Sequence, residues 1–234
     1  MPGIITRGGI ILAKGAGILL GLTLPTLIAR IFVLLTAFAV HEFAHAWAAD
    51  RYGDPTPRSM GRLTLNPLAH LDPIGSLMLV FVGFGWAKPV PVNPYALERR
   101  SSAAMMWVSL AGPISNLLMA LIAAIPFKLG LVSGFGAFAN QGTVLPTLDY
   151  FLYEFVYINL VLMLFNLIPI APLDGEKVLY YLAPPSVERV MDTIRPYGPF
   201  LLLILVFAGS FMGFNLLWTI LGPPLQALLG LLVG

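Results

Sequence analysis

The chain alternates long apolar runs with short polar loops. Four runs stand out: Ile28 to Ala49, Ala103 to Phe127, Tyr150 to Ala171, and a tail from Pro199 to Gly234. A helix needs about 20 mostly apolar residues to cross a hydrocarbon core of roughly 30 Å. The first three runs therefore predict one crossing each, and the tail predicts two, turned near Gly213 or Asn215. Gly9 to Leu27 is a further candidate, weakened by Lys14 and by four glycines from Gly9 to Gly21. A crossing and an interfacial or tilted helix both stay open for it. Ile74 to Trp86 spans only 13 residues, a length that suits a re-entrant or interfacial piece. The pattern predicts an all-α membrane protein of about five to six transmembrane helices with re-entrant or short extended segments. It is read as a single membrane-embedded domain, with a core over 28–196, an apolar segment over 1–27 and C-terminal helices over 197–234.

Composition supports that reading. Hydrophobic residues make up 58% of the chain, charged residues 10%, and the mean hydropathy is +0.87. Soluble domains carry roughly 25% charged residues. The net charge of +2 does not point to nucleic acid, because the 13 Lys and Arg residues are scattered or sit in short loops. The partner they imply is the lipid bilayer. Arg51, Arg58 and Arg62 precede the short run, and Lys88, Arg99 and Arg100 follow it. Keeping both clusters on the cytoplasmic side makes Ile28 to Ala49 run inward, Ala103 to Phe127 outward and Tyr150 to Ala171 inward again. The next loop, with Lys177, Arg189 and Arg195, then falls on the cytoplasmic side, as the rule requires. The N-terminus has no A-x-A-like cleavage site before a polar segment, so a removed signal peptide is the weaker reading. Size and the lack of targeting features suit a prokaryotic plasma membrane.

The absence of cysteine excludes disulfides and thiolate metal sites, leaving His, Asp and Glu as metal donors. Of three histidines, two form His41-Glu42-Phe43-Ala44-His45 inside the first secure span. Positions i and i+4 share a helix face about 6 Å apart along the axis, so both imidazoles can reach one metal with Glu42 alongside as a base. Ionisable groups inside a span cost roughly 2.5–3.5 kcal/mol on insertion scales and are kept mainly with a partner or a function. The alternative is that the imidazoles bond neighbouring helices and Glu42 pairs with an arginine. A catalytic zinc takes three protein ligands, and the candidates for the third are His70, Asp72, Asp174 and Glu176. Asp174 stands out because it follows an apolar span through Pro169 and Pro172, which cannot continue an ordinary helix and so favour an unwound end. The alternative is a loop aspartate capping a helix over Glu176 to Leu182.

These residues resemble the site-2 proteases, a family of intramembrane zinc metalloproteases. The resemblance rests on three segments in the same order: His41 to His45, Ala111-Gly112-Pro113-Ile114-Ser115-Asn116, and Asn166-x-x-Pro169-x-x-x-x-Asp174-Gly175. It covers roughly Ile28 to Pro196, and the Gly61 to Pro73 segment looks like that of small prokaryotic members. The resemblance implies a three-helix catalytic core, one zinc ion on His41, His45 and Asp174, and activation of water by Glu42. It also implies that the substrates are membrane-spanning proteins cut in or near their transmembrane segments. The chain departs from other branches in lacking a recognisable PDZ or CBS-like region. A metal transporter and an inactive scaffold are the competing classes. The first should show more ionisable residues along the later spans, and the second should have lost Glu42 or a ligand.

Three further sites are weighed with their alternatives. Asn116 and Asn166 can donate to an oxyanion, or can tie helices together and satisfy groups freed by Pro113 and Pro169. His70 can donate to a zinc ligand or to substrate, or can secure the Asn66 to Pro73 loop. The segment Gly85 to Pro94, with Val90 and Val92, alternates proline with other residues in a way hostile to a helix. It can pair with an unwound substrate as an added strand, or can be a rigid loop.

Overall fold

Thr23 opens the first long helix as its N-cap, accepting a hydrogen bond from the Thr26 N–H, and Pro25 sits in the first turn, where its missing N–H costs nothing. The computed structural model describes residues 23–75, 85–134, 144–212 (side chains through 207) and 216–234. In it this helix, α1, runs over Leu24–Arg51. It is followed by α2 (Thr56–Ser59), a 3-10 turn (Pro67–Ala69), α3 (Pro94–Arg100), α4 (Ala104–Lys128), α5 (Leu148–Asn166), α6 (Asp174–Leu182), α7 (Pro185–Ile194), a second 3-10 turn (Arg195–Tyr197), α8 (Gly198–Met212) and α9 (Leu216–Val233).

Among the described residues, five helical stretches are long and apolar enough to cross a bilayer: α1, α4, α5, Pro185–Phe207 and α9. Their outer faces leave large apolar side chains exposed, among them Phe32 on α1, Ile122 on α4 and Phe200 on α8. In a membrane protein such faces meet lipid rather than water. The protein is an all-α, multi-pass membrane protein, and no strand forms among the described residues. Most of Gly9 to Leu27 and most of the Ile74 to Trp86 run lie outside the described residues. So does the turn at 213–215, although α8 and α9 end and begin on either side of it.

The three central helices are held in register by specific contacts. Thr26 meets Tyr150 and Arg30 meets Glu154, so α1 and α5 run in the same direction with residues four apart matched to residues four apart. Between them, α4 runs the opposite way. Small residues let the helices approach closely: Ala29, Ala37, Ala46 and Ala120 have no exposed surface. A parallel α1–α5 pair brings the far end of α1, with its histidines, level with the residues that follow α5.

α5 ends sooner than the expected boundary at Ala171. Pro169 has no N–H for the carbonyl of Phe165 and its ring crowds that turn, so the helix stops at Asn166. The chain then passes through a tight irregular turn, including a cis Ala171–Pro172 peptide, before α6 starts at Asp174. Gly175 permits this closeness. A Cβ there would lie 2.2 Å from the Leu167 carbonyl oxygen.

Candidate metal centre

His41 and His45 project from one face of α1, both buried, with their Nε2 atoms 3.0 Å apart. Asp174 Oδ2 lies 3.3 Å from His41 Nε2 and 3.2 Å from His45 Nε2. Asp174 is the first residue of α6 and does not cap it, so the capping alternative gives way: its carboxylate turns toward α1. The other candidate third ligands are engaged elsewhere. Glu176 is bound by two nitrogens of Arg195, at 2.8 and 2.6 Å, and Asp72 Oδ1 accepts the Gly75 N–H.

The hydrogen bonds around the imidazoles fix their protonation pattern. His45 Nδ1 lies 2.7 Å from the Val108 carbonyl, which can only accept, so Nδ1 carries the proton. His41 is set by a longer chain that begins at another carbonyl. Asn159 Nδ2 donates to Phe155 O, so Asn159 Oδ1 faces Asn116 Nδ2, and Asn116 Oδ1 in turn faces His41 Nδ1 at 2.6 Å. His41 Nδ1 must therefore donate. Both Nε2 atoms then present lone pairs toward Asp174 Oδ2, a buried oxygen within ion-pairing distance of both imidazoles and yet without a hydrogen-bond donor.

Three acceptors facing one another repel. A single proton can serve one of the three contacts but not all of them, whereas one divalent cation serves all three. Ligands at about 2.0–2.2 Å around a tetrahedral ion stand roughly 3.3–3.6 Å apart. The observed 3.0–3.3 Å spacings run from a few tenths of an ångström inside that range to its lower edge, so a small outward shift of the three groups admits the ion. Gly112 on α4 faces the same point: a Cβ there would sit 2.3 Å from His45 Nε2 and 2.6 Å from His41 Cε1. Only a residue without a side chain leaves this space free. No other group of three His, Asp or Glu residues among those described converges in this way.

The centre opens onto a cavity of about 720 Å³ whose walls are mostly apolar. Glu42 lines it beside the histidines, and its Oε2 accepts the Val90 N–H at 3.0 Å. Val90, Val92 and Asn166 line it as well, and Asn166 donates to the Leu162 carbonyl. Gly85 to Asn93 is non-helical and joins no sheet, having one isolated bridge between Ala87 and Leu71, and Pro94 already opens α3.

Two expected sites are placed differently. Asn116 is fully buried, does not line the cavity, and has its oxygen on His41 and its Nδ2 on Asn159, so it orients the His41 ring rather than facing the cavity. His70 is buried away from the centre, with Nε2 donating to the Thr64 carbonyl at 2.8 Å. It secures its loop. Gly112 and Asn159 went unassigned from the sequence. Gly112 stood in the Ala111 to Asn116 segment, and Asn159 is a lone amide within an apolar span, so each left a signal.

The family model described as "Peptidase family M50" matches residues 128–206, which include Asp174 but begin well after the two histidines. The Bacillus subtilis protein named "Putative zinc metalloprotease YwhC" is 39% identical over 201 residues, covering 86% of this chain and 89% of that protein. The chain belongs to peptidase family M50. The "Putative zinc metalloprotease Rip2" proteins are more distant. That of Mycolicibacterium smegmatis is 29% identical over 75% of this chain and 65% of its own length, and that of Mycobacterium tuberculosis strain H37Rv is 28% identical over 81% and 72%. No solved structure matches the chain. The M50 chain is thus a multi-pass membrane metalloprotease, and its two imidazoles and one carboxylate form a donor set that zinc accepts.

Proposed function

We propose that this M50 peptidase hydrolyses peptide bonds in or near the transmembrane segments of other membrane proteins, with zinc held by His41, His45 and Asp174 and with Glu42 as the base. The observation that carries the reading is the convergence of two imidazole Nε2 atoms and the unpartnered Asp174 Oδ2 at the wall of an apolar cavity bounded by membrane-length helices. An apolar-walled cavity of this kind accepts the side chains of a transmembrane segment, and the polar groups within it are confined to the reaction centre and its edge.

When bound, zinc polarises the scissile carbonyl and makes water acidic enough to lose a proton near neutral pH. Glu42 takes that proton through its carboxylate and passes it to the leaving amine. Its Oε2 is held by the Val90 N–H, which leaves Oε1 to move the proton. Asn166 is the asparagine in reach of a substrate carbonyl, since it lines the cavity and Asn116 does not. Val90 and Val92 present an extended edge along the same cavity, and on this reading an unwound substrate pairs with it. Replacing both should slow cleavage of a helical substrate more than that of an extended peptide; equal slowing of the two would remove the pairing.

Charge bias supports a plasma-membrane orientation with the active site nearer the cytoplasm. Arg51 at the histidine end of α1, Arg58 on α2 and Lys177 on α6 put positive charge at that end of the protein. The test uses purified enzyme in vesicles with a transmembrane substrate. Glu42→Gln should keep stoichiometric zinc and lose cleavage by at least a hundredfold. Undiminished cleavage by that variant would take the base out of the mechanism.

A further inference from the structure

Arg62 is buried, with 5% of its surface exposed, and forms no ion pair with a carboxylate among the described residues. A buried cation without compensation is costly. Its guanidinium instead forks over three backbone carbonyls: Nη1 donates to Ala69 O, and Nη2 donates to Lys88 O at 3.1 Å and to Pro89 O at 2.9 Å. The last of these bonds matters for the reaction centre. The carbonyl of Pro89 and the N–H of Val90 belong to one planar peptide group, and that N–H donates to Glu42 Oε2 at 3.0 Å. A single peptide therefore stands between the buried cation and the carboxylate, with its oxygen toward the guanidinium and its hydrogen toward Glu42.

The sequence isolates this contact. Pro89 and Pro91 have no N–H, so Val90 carries the lone amide hydrogen between Lys88 and Val92. The neighbouring amides are tied down separately: Lys88 N–H donates to His70 O at 2.8 Å, and Asn93 N–H to Asp54 Oδ2 at 2.6 Å. Asp54 is itself fully buried. The segment can neither slide nor rotate without breaking bonds at both ends. Polarising the Pro89 carbonyl strengthens the Val90 donor, because charge-assisted and chained hydrogen bonds reinforce one another.

We propose that Arg62 is a positioning residue for Glu42, acting through the Pro89–Val90 peptide to fix one carboxylate oxygen and leave the other for proton transfer. The proposal rests on Glu42 being the base, and the test separates the two. Arg62→Lys keeps the charge, but a single ammonium cannot reproduce the fork over three carbonyls. The variant should lose about ten- to a hundredfold in kcat, with KM and zinc content within about twofold of wild type. Amide exchange across 87–93, followed by mass spectrometry on zinc-loaded protein, should quicken at Val90 by at least about tenfold. Val90→Pro removes the donor while leaving Arg62 intact, and the combined variant should be no slower than the worse single one.

Unchanged kcat and Val90 exchange in Arg62→Lys would overturn the proposal, as would additive losses in the double variant. Loss of zinc or of folded protein in Arg62→Lys would overturn it too, since Arg62 would then serve the fold at large. Glu42→Gln reports on the other premise. If that variant still cleaves, the base assignment falls, whereas the exchange rate at Val90 still decides whether Arg62 organises this peptide.

Discussion

The helices α1 and α5 carry two buried polar clusters, and the two are built on opposite principles. At one end Thr26 Oγ1 lies 2.8 Å from Tyr150 Oη, Tyr150 donates to Glu154 Oε1 at 3.0 Å, and Arg30 Nε donates to Glu154 Oε2 at 3.0 Å. Each acceptor has its donor, and the set closes on itself. At the other end the donors all point outward, His41 to Asn116 and His45 to Val108, so that three acceptors are left facing one another. Ionisable groups in a membrane span require a reason. The closed cluster finds its reason in fixing helix register, and the open one is incomplete without a cation. It follows that the presence of charge in a span does not mark a site; the balance of donors and acceptors does.

The sharpest way to break the comparison is to fill the open end. Gly112→Ala places a methyl group 2.3 Å from His45 Nε2, in the space the cation needs. Zinc affinity should fall by more than about a hundredfold, and cleavage with it; stoichiometric zinc in this variant would show that the space is not the metal position. A smaller loss is expected from Asn116→Ala. It frees His41 Nδ1 and abolishes the chain through Asn159, so zinc affinity should drop about ten- to a hundredfold. Metal titration of the purified variants measures both, and an Asn116→Ala affinity equal to wild type would mean that the chain does not orient His41.

Much of this architecture was legible before any coordinates. α1 and α4 fall within a few residues of the expected runs because a crossing demands a length that composition reveals. The apolar run predicts an end for this helix at Ala171, five positions beyond the observed Asn166, because hydrophobicity continues past the point where Pro169 breaks the helix. The histidine pair was readable from local spacing, and Asp174 from the broken helix before it. The roles of Gly112, Asn159 and Arg62 were not. Asn116 and Asn159 are 43 positions apart, Arg62 reaches carbonyls 26 and 27 positions away, and His41 is 75 positions from Asn116. Such pairings follow from how the helices pack, and no local pattern encodes them. In the sequence Arg62 is one more charge in a polar loop, whereas in the fold that charge is buried.

The closed cluster should respond in another currency, stability without metal. Glu154→Ala leaves Arg30 and Tyr150 without their acceptor. Because the Arg30 side chain is 37% exposed and can turn to headgroups or water, the cost should be about 1–3 kcal/mol rather than that of a fully buried broken pair. Zinc content should be unchanged, since the cluster lies at the other end of α1 and α5. The smallest effect is expected from Tyr150→Phe, which removes one hydroxyl from a set whose ion pair survives. Hydrogen bonds within membrane proteins average about 0.6 kcal/mol, because the separated helices find other partners in the bilayer. Unfolding in mixed micelles should register a loss of that order, with zinc and kcat as in wild type. A Tyr150→Phe variant that lost zinc would mean the two ends communicate along α1 and α5, and the division between a closed structural cluster and an open catalytic one would have to be abandoned.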